Sequence, residues 1–321
     1  MTNNLHYFIF PYCFIVTGST SSIIYNAQKS TITYITDSII SLINLFGDYS
    51  ISEIERIYSD QLDLLQETIS YFKDKGIIGV KQKTDIFPNI DFNYSSPEHI
   101  KHMVIEYSHQ YNSNAALSMI NKLLVKFLEI RIPEMITAQE IEYVLSQIYN
   151  STIKSTQLVA NYKQKNLFYN ICKNKEADII SSIIFYGAPF SRSKTFGGKY
   201  FHYVKSSYNE LCTSNNNYAK NCIFDLKYFI LAHSFNPYYY KRLCIDKFGN
   251  IKNCLKNNQT FGNIMDKDMN ILSIINSSSY RQLWKCTADR IIEIKDNPLR
   301  YNMYVTNNLR EIGNGLYSII V

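Results

Sequence analysis

The chemistry open to this chain depends first on its cysteines, because thiolates hold iron and zinc and also act as nucleophiles. There are seven of them in 321 residues, an odd number at irregular spacing: Cys13, Cys172, Cys212, Cys222, Cys244, Cys254 and Cys286. This distribution favours reduced thiols over a disulfide framework. The ten-residue spacing of Cys212 and Cys222 matches no usual zinc pattern. Cysteine spacing alone therefore predicts no metal site.

Other motifs that carry chemistry are missing. The sequence has neither GxGxxG nor GxxxxGK[ST], and the isolated pair Gly197-Gly198 is typical of a turn. The loose group His99, His102 and His109 is explained better by surface histidines than by metal ligands. No Ser-His-Asp or Cys-His arrangement is evident. We predict no catalytic residue and no metal ligand set.

Composition limits the environment and the partners. With 46% hydrophobic and 19% charged residues the chain should fold, and its length favours two domains. A net charge of +6 comes without a dense Lys/Arg block, so no nucleic-acid partner is predicted. The apolar run Tyr7–Val16 lacks a preceding basic region and contains Pro11, which favours a strand over a signal peptide. No apolar run approaches a membrane span. We expect a cytosolic protein that does not bind membranes.

Residues 1–82 are predicted to form one small α/β unit. Ser50 and Glu53 have capping-box spacing at the start of its second helix, and the third helix should end at Gly76. Three strands, three helices and a short final strand indicate a winged-helix-like arrangement. The predicted strands are Tyr7–Val16, Ser21–Asn26, Thr31–Thr36 and Ile77–Val80, and the first helix should begin with Asp37 as its cap.

A linker is predicted at 83–100, and strand–helix alternation follows it. Units of about 25–30 residues indicate parallel strands with right-handed crossovers, hence a partial (β/α) barrel or an open sheet. The capping pair Thr137 and Glu140 should start one of its helices. The predicted strands are His102–Tyr107, Phe127–Ile132, Thr156–Ala160, Ile179–Tyr186, Tyr200–Lys205 and Tyr228–His233. A helical face of Leu117, Ile120, Leu124 and Phe127 is predicted between the first two.

The C-terminal part has the most specific sequence. Residues 243–264 (LCIDKFGNIKNCLKNNQTFGNI) predict a strand, a turn at Gly249-Asn250 and a returning strand, and residues 280–301 read YRQLWKCTADRIIEIKDNPLRY. Together they resemble the SPASM region of the grasp-with-spasm peptide maturases, which accompany an ATP-grasp ligase in ribosomal-peptide (RiPP) maturation. The N-terminal unit resembles that family's PqqD-like precursor-recognition domain, and Ser181–Phe190 resembles its mid-barrel strand. The resemblance implies a radical-SAM-like partial barrel over 101–240 and a SPASM-like region over 241–321.

Departures from the family pattern imply that both iron–sulfur sites are degenerate. Ile294, Asn297, Met303 and Thr306 stand where SPASM thiolates would, and Cys254 is the only retained cysteine of that set. One thiolate cannot hold a cluster that normally needs four. The loop 108–114 (SHQYNSN) lacks the CxxxCxxC motif of radical S-adenosylmethionine enzymes. No cofactor is therefore expected.

The function implied is a non-catalytic adaptor that binds a precursor (leader) peptide by strand addition and works with a separate enzyme such as an ATP-grasp ligase. The expected groove lies between the third strand and the third helix. Its expected lining is Ile32, Tyr34, Leu65, Ile69 and Phe72, for each of which ordinary core packing is the alternative. Two other functions stay open: a peptide-modifying enzyme with a non-iron or residual metal site, and an interaction module that binds no peptide.

Overall fold

The computed structural model describes residues 5–213 and 217–320. Its N-terminal unit contains two small antiparallel sheets, β2-β3-β4 and β1-β5, and three helices. The bounds are β1 Leu5–Ile9, β2 Cys13–Thr17, β3 Ser22–Asn26, β4 Thr31–Ile35, α1 Asp37–Ile43, α2 Ile51–Ile57, α3 Leu62–Asp74 and β5 Ile78–Gln82. The predicted strand Tyr7–Val16 is two strands in different sheets. A turn divides them where the Cys13 N–H donates to the Phe10 carbonyl at 2.8 Å, with Pro11 in the turn position that suits its fixed φ.

Local sequence signals explain the three helices. The capping box at α2 is confirmed, because the Ser50 side chain accepts from the Glu53 N–H and the Glu53 carboxylate accepts from the Ser50 N–H. The first helix begins at Asp37, and its N-cap is Thr36, one residue before the predicted cap Asp37. The third helix buries Leu65, Ile69 and Phe72, which recur at helical spacing along one face.

The rest of the chain is organised around an eight-stranded, mostly parallel sheet of order β10-β11-β9-β8-β7-β6-β12-β13. Six neighbouring strands are parallel, and the outermost pairs, β10-β11 and β12-β13, are antiparallel. The strands are β6 His102–Glu106, β7 Phe127–Arg131, β8 Ser155–Asn161, β9 Ile180–Tyr186, β10 Arg192–Phe196, β11 Lys199–Tyr203, β12 Arg242–Ile245 and β13 Ile251–Lys252. The mixed α/β class is confirmed, and the sheet is open, with β10 and β13 at its ends.

Helices α4 Ser113–Leu123, α5 Ala138–Tyr149 and α6 Lys165–Ile171 cover one face of this large sheet. Alternate strand residues such as Ile105, Ile130 and Leu158 pack with them in one apolar core, called the large core below. The capping box predicted for Thr137 and Glu140 is confirmed at the start of α5.

Two predictions in this region are wrong. Residues 228–233, predicted as a strand, lie in helix α8 (Leu226–Ser234), which follows α7 (Tyr208–Thr213). Asp225 caps α8 by accepting from the Tyr228 N–H at 3.0 Å, and burial of Phe229 and Ala232 at i, i+3 spacing holds its face against the core. Phe127 was predicted on a helical face, but α4 ends at Leu123 because Leu124 turns left-handed at φ 58°, and Phe127 begins β7.

The C-terminal part continues the large sheet rather than starting a separate layer. Strand β12 lies parallel to β6, so the sheet crosses the boundary predicted between 240 and 241. The predicted strand, turn and returning strand are confirmed as β12 and β13 around Gly249. Phe261 then donates its N–H to the Ile251 carbonyl at 2.9 Å. Short helices α9 Ile271–Asn276 and α10 Ser278–Arg281 and the hairpin of β14 Leu309–Gly313 and β15 Leu316–Ile319 complete the fold.

The sheet β2-β3-β4, called the N-terminal sheet below, is covered on both faces. Ile24 packs with α1–α3 in a second apolar cluster, the small core, whereas Ile23 and Tyr25 belong to the large core. Residues 83–100 contain no helix or strand, as a linker predicts, but Phe92 packs against the large core, and Ile100 is fully buried. Many contacts therefore cross the predicted domain boundary.

In the part of the chain that the structure describes, no helix has the length and apolar character needed to cross a bilayer.

Candidate functional site

The first candidate site is the outer edge of β4, which is the last strand of its sheet. Hydrogen-bonded pairs alternate along an antiparallel ladder. The Ala27 N–H donates to the Tyr12 carbonyl at 2.9 Å, which fixes that alternation between β2 and β3. It follows that the backbone groups of Ser22, Ile24 and Asn26 point toward β4.

The same alternation determines which amides of β4 are free for another strand. Ser22, Ile24 and Asn26 are paired with Ile35, Thr33 and Thr31, so these three residues of β4 bond to β3. The N–H and C=O groups of Ile32 and Tyr34 therefore point outward. No other strand of the described chain pairs with this edge. Two residues spaced i, i+2 thus offer backbone donors and acceptors for strand addition.

The five predicted groove residues do not share one surface. Ile32 and Tyr34 pair with Tyr25 and Ile23, so their side chains lie on the face of the sheet that is turned toward the large core. The other three predicted residues, Leu65, Ile69 and Phe72, are 3–4% exposed and pack in the small core beyond the opposite face. Tyr34 is 60% exposed and Ile32 is half-buried, so these two are the ones that reach solvent.

A pocket of about 450 Å³ lies beside Tyr34. Its walls come from the β2–β3 turn at 19–21 and from the segment 292–299. Glu293 and Asp296 are its charged groups, but the Glu293 carboxylate already accepts from the Ser318 hydroxyl, and Asp296 is paired with Lys295 at 3.1 Å. The pocket therefore places a polar wall next to the open edge of β4.

The second candidate site is the polar face of the large sheet, the face opposite α4–α6. It carries Glu129, Arg131, Gln157, Ser182 and Arg242. Ladder pairing aligns Glu129, Gln157 and Ser182 in one row across β7, β8 and β9. The Gln157 amide donates to the Ser182 hydroxyl at 2.8 Å, and Arg131 Nε donates to Glu129 Oε1 at 2.6 Å. Ser182 is buried and the other four residues are half-buried, so their polar groups need partners within the protein, in water or on a ligand.

One end of the polar face is closed by α7. The Tyr208 hydroxyl donates to Glu106, and the Arg131 guanidinium lies 3.1 Å from Cys212 Sγ. The Glu106 carboxylate also accepts from the Lys247 N–H at 2.9 Å. These contacts satisfy the acid and one arginine at the carboxyl ends of β6 and β7.

The other end of the polar face holds Arg242. Its guanidinium lies 4.5 Å from the centre of the Tyr238 ring, and its Nε is buried with no hydrogen-bond partner. Burial raises the pKa of the Cys244 thiol to about 12, and burial also raises the pKa of Tyr238 well above its ordinary value. Both neighbours are therefore uncharged at neutral pH.

The positions at which the family resemblance implies cluster ligands differ in burial and in the groups they contact. Ile294, Met303 and Thr306 are buried, and Asn297 is half-buried. Cys254 Sγ lies 3.3 Å from the Tyr238 hydroxyl. In the loop that follows β6, His109 contacts Glu140 at 2.5 Å and Glu134 at 3.5 Å.

Within residues 5–213 and 217–320, no three His, Cys, Asp or Glu side chains form a group that could hold a metal ion. All seven cysteines are free thiols.

Sequence reasoning missed the polar face. Its signal was present in the strands as polar residues at every second position, such as Glu129 and Arg131 in β7 or Ser155 and Gln157 in β8. Alternation of this kind shows that one face of a strand is polar, but it does not show that several strands place their polar faces together.

Comparison with known proteins adds little. No protein-family model matches the chain, and no curated protein matches it. Two crystal structures of SuiB from Streptococcus suis align with it at 11% identity. The complex with S-adenosylmethionine covers 85% of this chain and 88% of its own at a TM-score of 0.24. The other covers 86% and 90% at 0.26. These scores are too low to establish a shared fold.

Proposed function

We propose that this protein is a non-catalytic adaptor that holds a precursor peptide during ribosomal-peptide maturation while a separate enzyme, such as an ATP-grasp ligase, modifies it. The observation that carries the proposal is the open edge of β4, where the backbone groups of Ile32 and Tyr34 point outward. An unpaired edge of this kind is a template for another strand, and natural proteins usually block it. No strand of the described chain pairs with this one.

A leader peptide pairing here would add a fourth strand to β2-β3-β4. Main-chain hydrogen bonds to Ile32 and Tyr34 would supply affinity, and alternate peptide side chains would enter the pocket beside Tyr34. Three of the residues predicted to line the peptide groove then have a structural role instead. Leu65, Ile69 and Phe72 support the sheet from the small core, and the peptide touches the backbone of β4 instead of their side chains.

The link to a ligase rests on the resemblance of residues 243–264 and 280–301 to the grasp-with-spasm maturases. The part of the protein built around the large sheet would then present the bound peptide. Its polar face and the exposed hairpin β10-β11 are the surfaces open to a partner. The donors on these surfaces suit recognition, and the reacting groups would come from the partner enzyme.

The test compares two variants at one position. The probe is the candidate precursor peptide encoded beside the gene for this chain, labelled at its C-terminus and titrated against the full-length protein. Tyr34→Pro removes the outward N–H, whereas Tyr34→Ala keeps it and removes only the ring. We expect Tyr34→Pro to bind at least tenfold more weakly, about 1.4 kcal/mol, and Tyr34→Ala to bind nearly as well as the wild type.

A further control is Lys73→Ala on α3, which should change affinity little and mainly at low salt. Circular dichroism must first show that each variant is folded. If folded Tyr34→Pro binds the peptide as tightly as the wild type, the peptide does not pair with β4. The basic strand β10 and the adjoining pocket near Arg192 would then be the next surface to examine.

A further inference from the structure

A small pocket opens at the amino-terminal ends of the parallel strands. It has a volume of about 240 Å³ and is lined chiefly by His102, Glu129, Ser155, Gln157, Ser182 and Arg242, which come from five different strands. This is smaller than the roughly 300–1,000 Å³ of pockets that hold drug-sized ligands. A single side chain or a small anion is the size of occupant that fits.

The charge in this pocket is not balanced. Arg131 forms an ion pair with Glu129 at 2.6 Å, and the same carboxylate also raises the pKa of Arg242, so one acid faces two guanidinium groups and one positive charge is left over. None of the ion pairs between described residues includes Arg242. Its neighbours Tyr238 and Cys244 are neutral, and the buried Nε lacks a partner. A guanidinium so placed is suited to a carboxylate, which can accept two of its N–H groups at once.

Neutral polar groups line the same pocket, with His102 on the strand next to Arg242 and Ser182 four strands away on β9. The Ser182 hydroxyl accepts from Gln157, so its own proton is available to a ligand. Burial and the nearby Arg242 and Lys101 lower the pKa of His102 to about 4, so the imidazole is uncharged at neutral pH. Its ladder partner across the pocket is Arg242 itself. One cation beside a neutral imidazole matches a singly charged oxyanion.

We propose that this pocket binds one carboxylate group through Arg242, supplied by an acidic side chain or by the C-terminus of a peptide. The site is separate from the β4 edge and does not depend on strand addition there. If the protein does hold a precursor peptide, the pocket is a second contact that selects an acidic residue of that peptide.

Matched small probes test the proposal on the full-length protein. N-acetylglutamate methylamide carries a side-chain carboxylate, N-acetylglutamine carries a terminal carboxylate, and N-acetylglutamine methylamide carries neither. Binding is followed by NMR through the His102 ring and the Arg242 Nε–H. We expect at least one of the two acids to shift both signals at millimolar concentration, and at least tenfold tighter binding than for the neutral amide. The acid that binds more tightly identifies the source of the carboxylate.

Variants separate the pocket from general charge effects. Arg242→Gln should lower the affinity for the acid at least tenfold, and Arg192→Gln on β10, outside this pocket, should not change it. If Arg242→Gln does not fold, Glu129→Gln provides the opposite test, since loss of the competing carboxylate should strengthen acid binding. Equal binding of acid and amide by the wild type would overturn the proposal, as would acid binding unchanged in folded Arg242→Gln. Inorganic phosphate that binds more tightly than either acid would also overturn the assignment to a carboxylate.

Discussion

The Phe14 ring stacks on the Phe229 ring with centroids 4.9 Å apart. This contact joins β2, in the N-terminal sheet β2-β3-β4, to helix α8, which packs in the large core. Tyr25 lies at the same distance from Phe229 on the neighbouring strand. The N-terminal sheet therefore packs against residues more than 200 positions later in the chain, and its stability is tied to theirs.

Replacement of Phe229 should destabilise both parts of the protein together. Phe229 is fully buried, and Phe229→Ala should lower the free energy of unfolding by about 3–5 kcal/mol, the usual cost of removing a core phenylalanine. Phe196→Ala is the control, because that ring is 52% exposed and should cost much less. Urea unfolding followed by circular dichroism measures both. A loss under about 1 kcal/mol for Phe229→Ala would mean that the two parts are not coupled through this contact.

Proline substitutions along β4 should alternate in their effect on folding. The Thr33 N–H bonds to β3, so Thr33→Pro should cost about 1–3 kcal/mol for the lost ladder bond. The Tyr34 N–H points outward, so Tyr34→Pro removes no ladder bond and should be tolerated better. Thermal unfolding of the two variants makes the comparison. If Tyr34→Pro is the more destabilised, the hydrogen-bond alternation assigned to β4 is reversed.

Neighbouring leucines on α3 should behave differently because only one is buried. Leu65 is 4% exposed in the small core, and Leu65→Ala should cost about 2–5 kcal/mol. Leu64 is 59% exposed, and Leu64→Ala should stay within about 0.5 kcal/mol of the wild type. Ile69→Asp should unfold the N-terminal unit, since it places a carboxylate in an apolar core. A stable, folded Ile69→Asp variant would show that this face of α3 is open to solvent.

The ion pair of His109 with Glu140 should add a small pH-dependent stability. The hydrogen bond to Glu140 raises the pKa of His109, so the protonated imidazole is favoured in the folded state. The stabilisation is complete below the ordinary histidine pKa and is lost as the pH rises through the raised value. Because His109 is 57% exposed, the effect should be about 0.2–1 kcal/mol. NMR titration of His109, with His109→Gln as reference, measures it, and an ordinary pKa for His109 would contradict the assignment.

Purified protein should be colourless and hold little iron after anaerobic reconstitution. The physical reason is the donor chemistry at Ile294, Asn297, Met303 and Thr306, which supplies no thiolate beside Cys254 for a cluster. Elemental analysis and the visible spectrum measure this. Stoichiometric iron with a visible charge-transfer band would argue against the adaptor. Another tightly bound metal that supports turnover of the peptide would favour the peptide-modifying enzyme.

The sequence determined the features that depend on near neighbours. The capping boxes at Ser50 and Thr137 need only residues three positions apart, and both formed as their spacing predicts. The parallel strands from β6 to β8 were also readable, because each is a short strand-like run followed by a helical period, and β9 was readable as the apolar run that follows.

Tertiary structure decided what near neighbours cannot specify. The apolar run 228–233 fits a strand or a helix equally well, and burial of Phe229 against the N-terminal sheet selects the helix. Alternation along β4 puts Ile32 and Tyr34 on the same face of the sheet. The packing of the helices α1–α3 on the other face decides that these two side chains point away from the small core. The pocket of Arg242 and Glu129 exists only because β12 pairs with β6 in the sheet. Residues 113 positions apart come together by such pairing, and no local pattern records it.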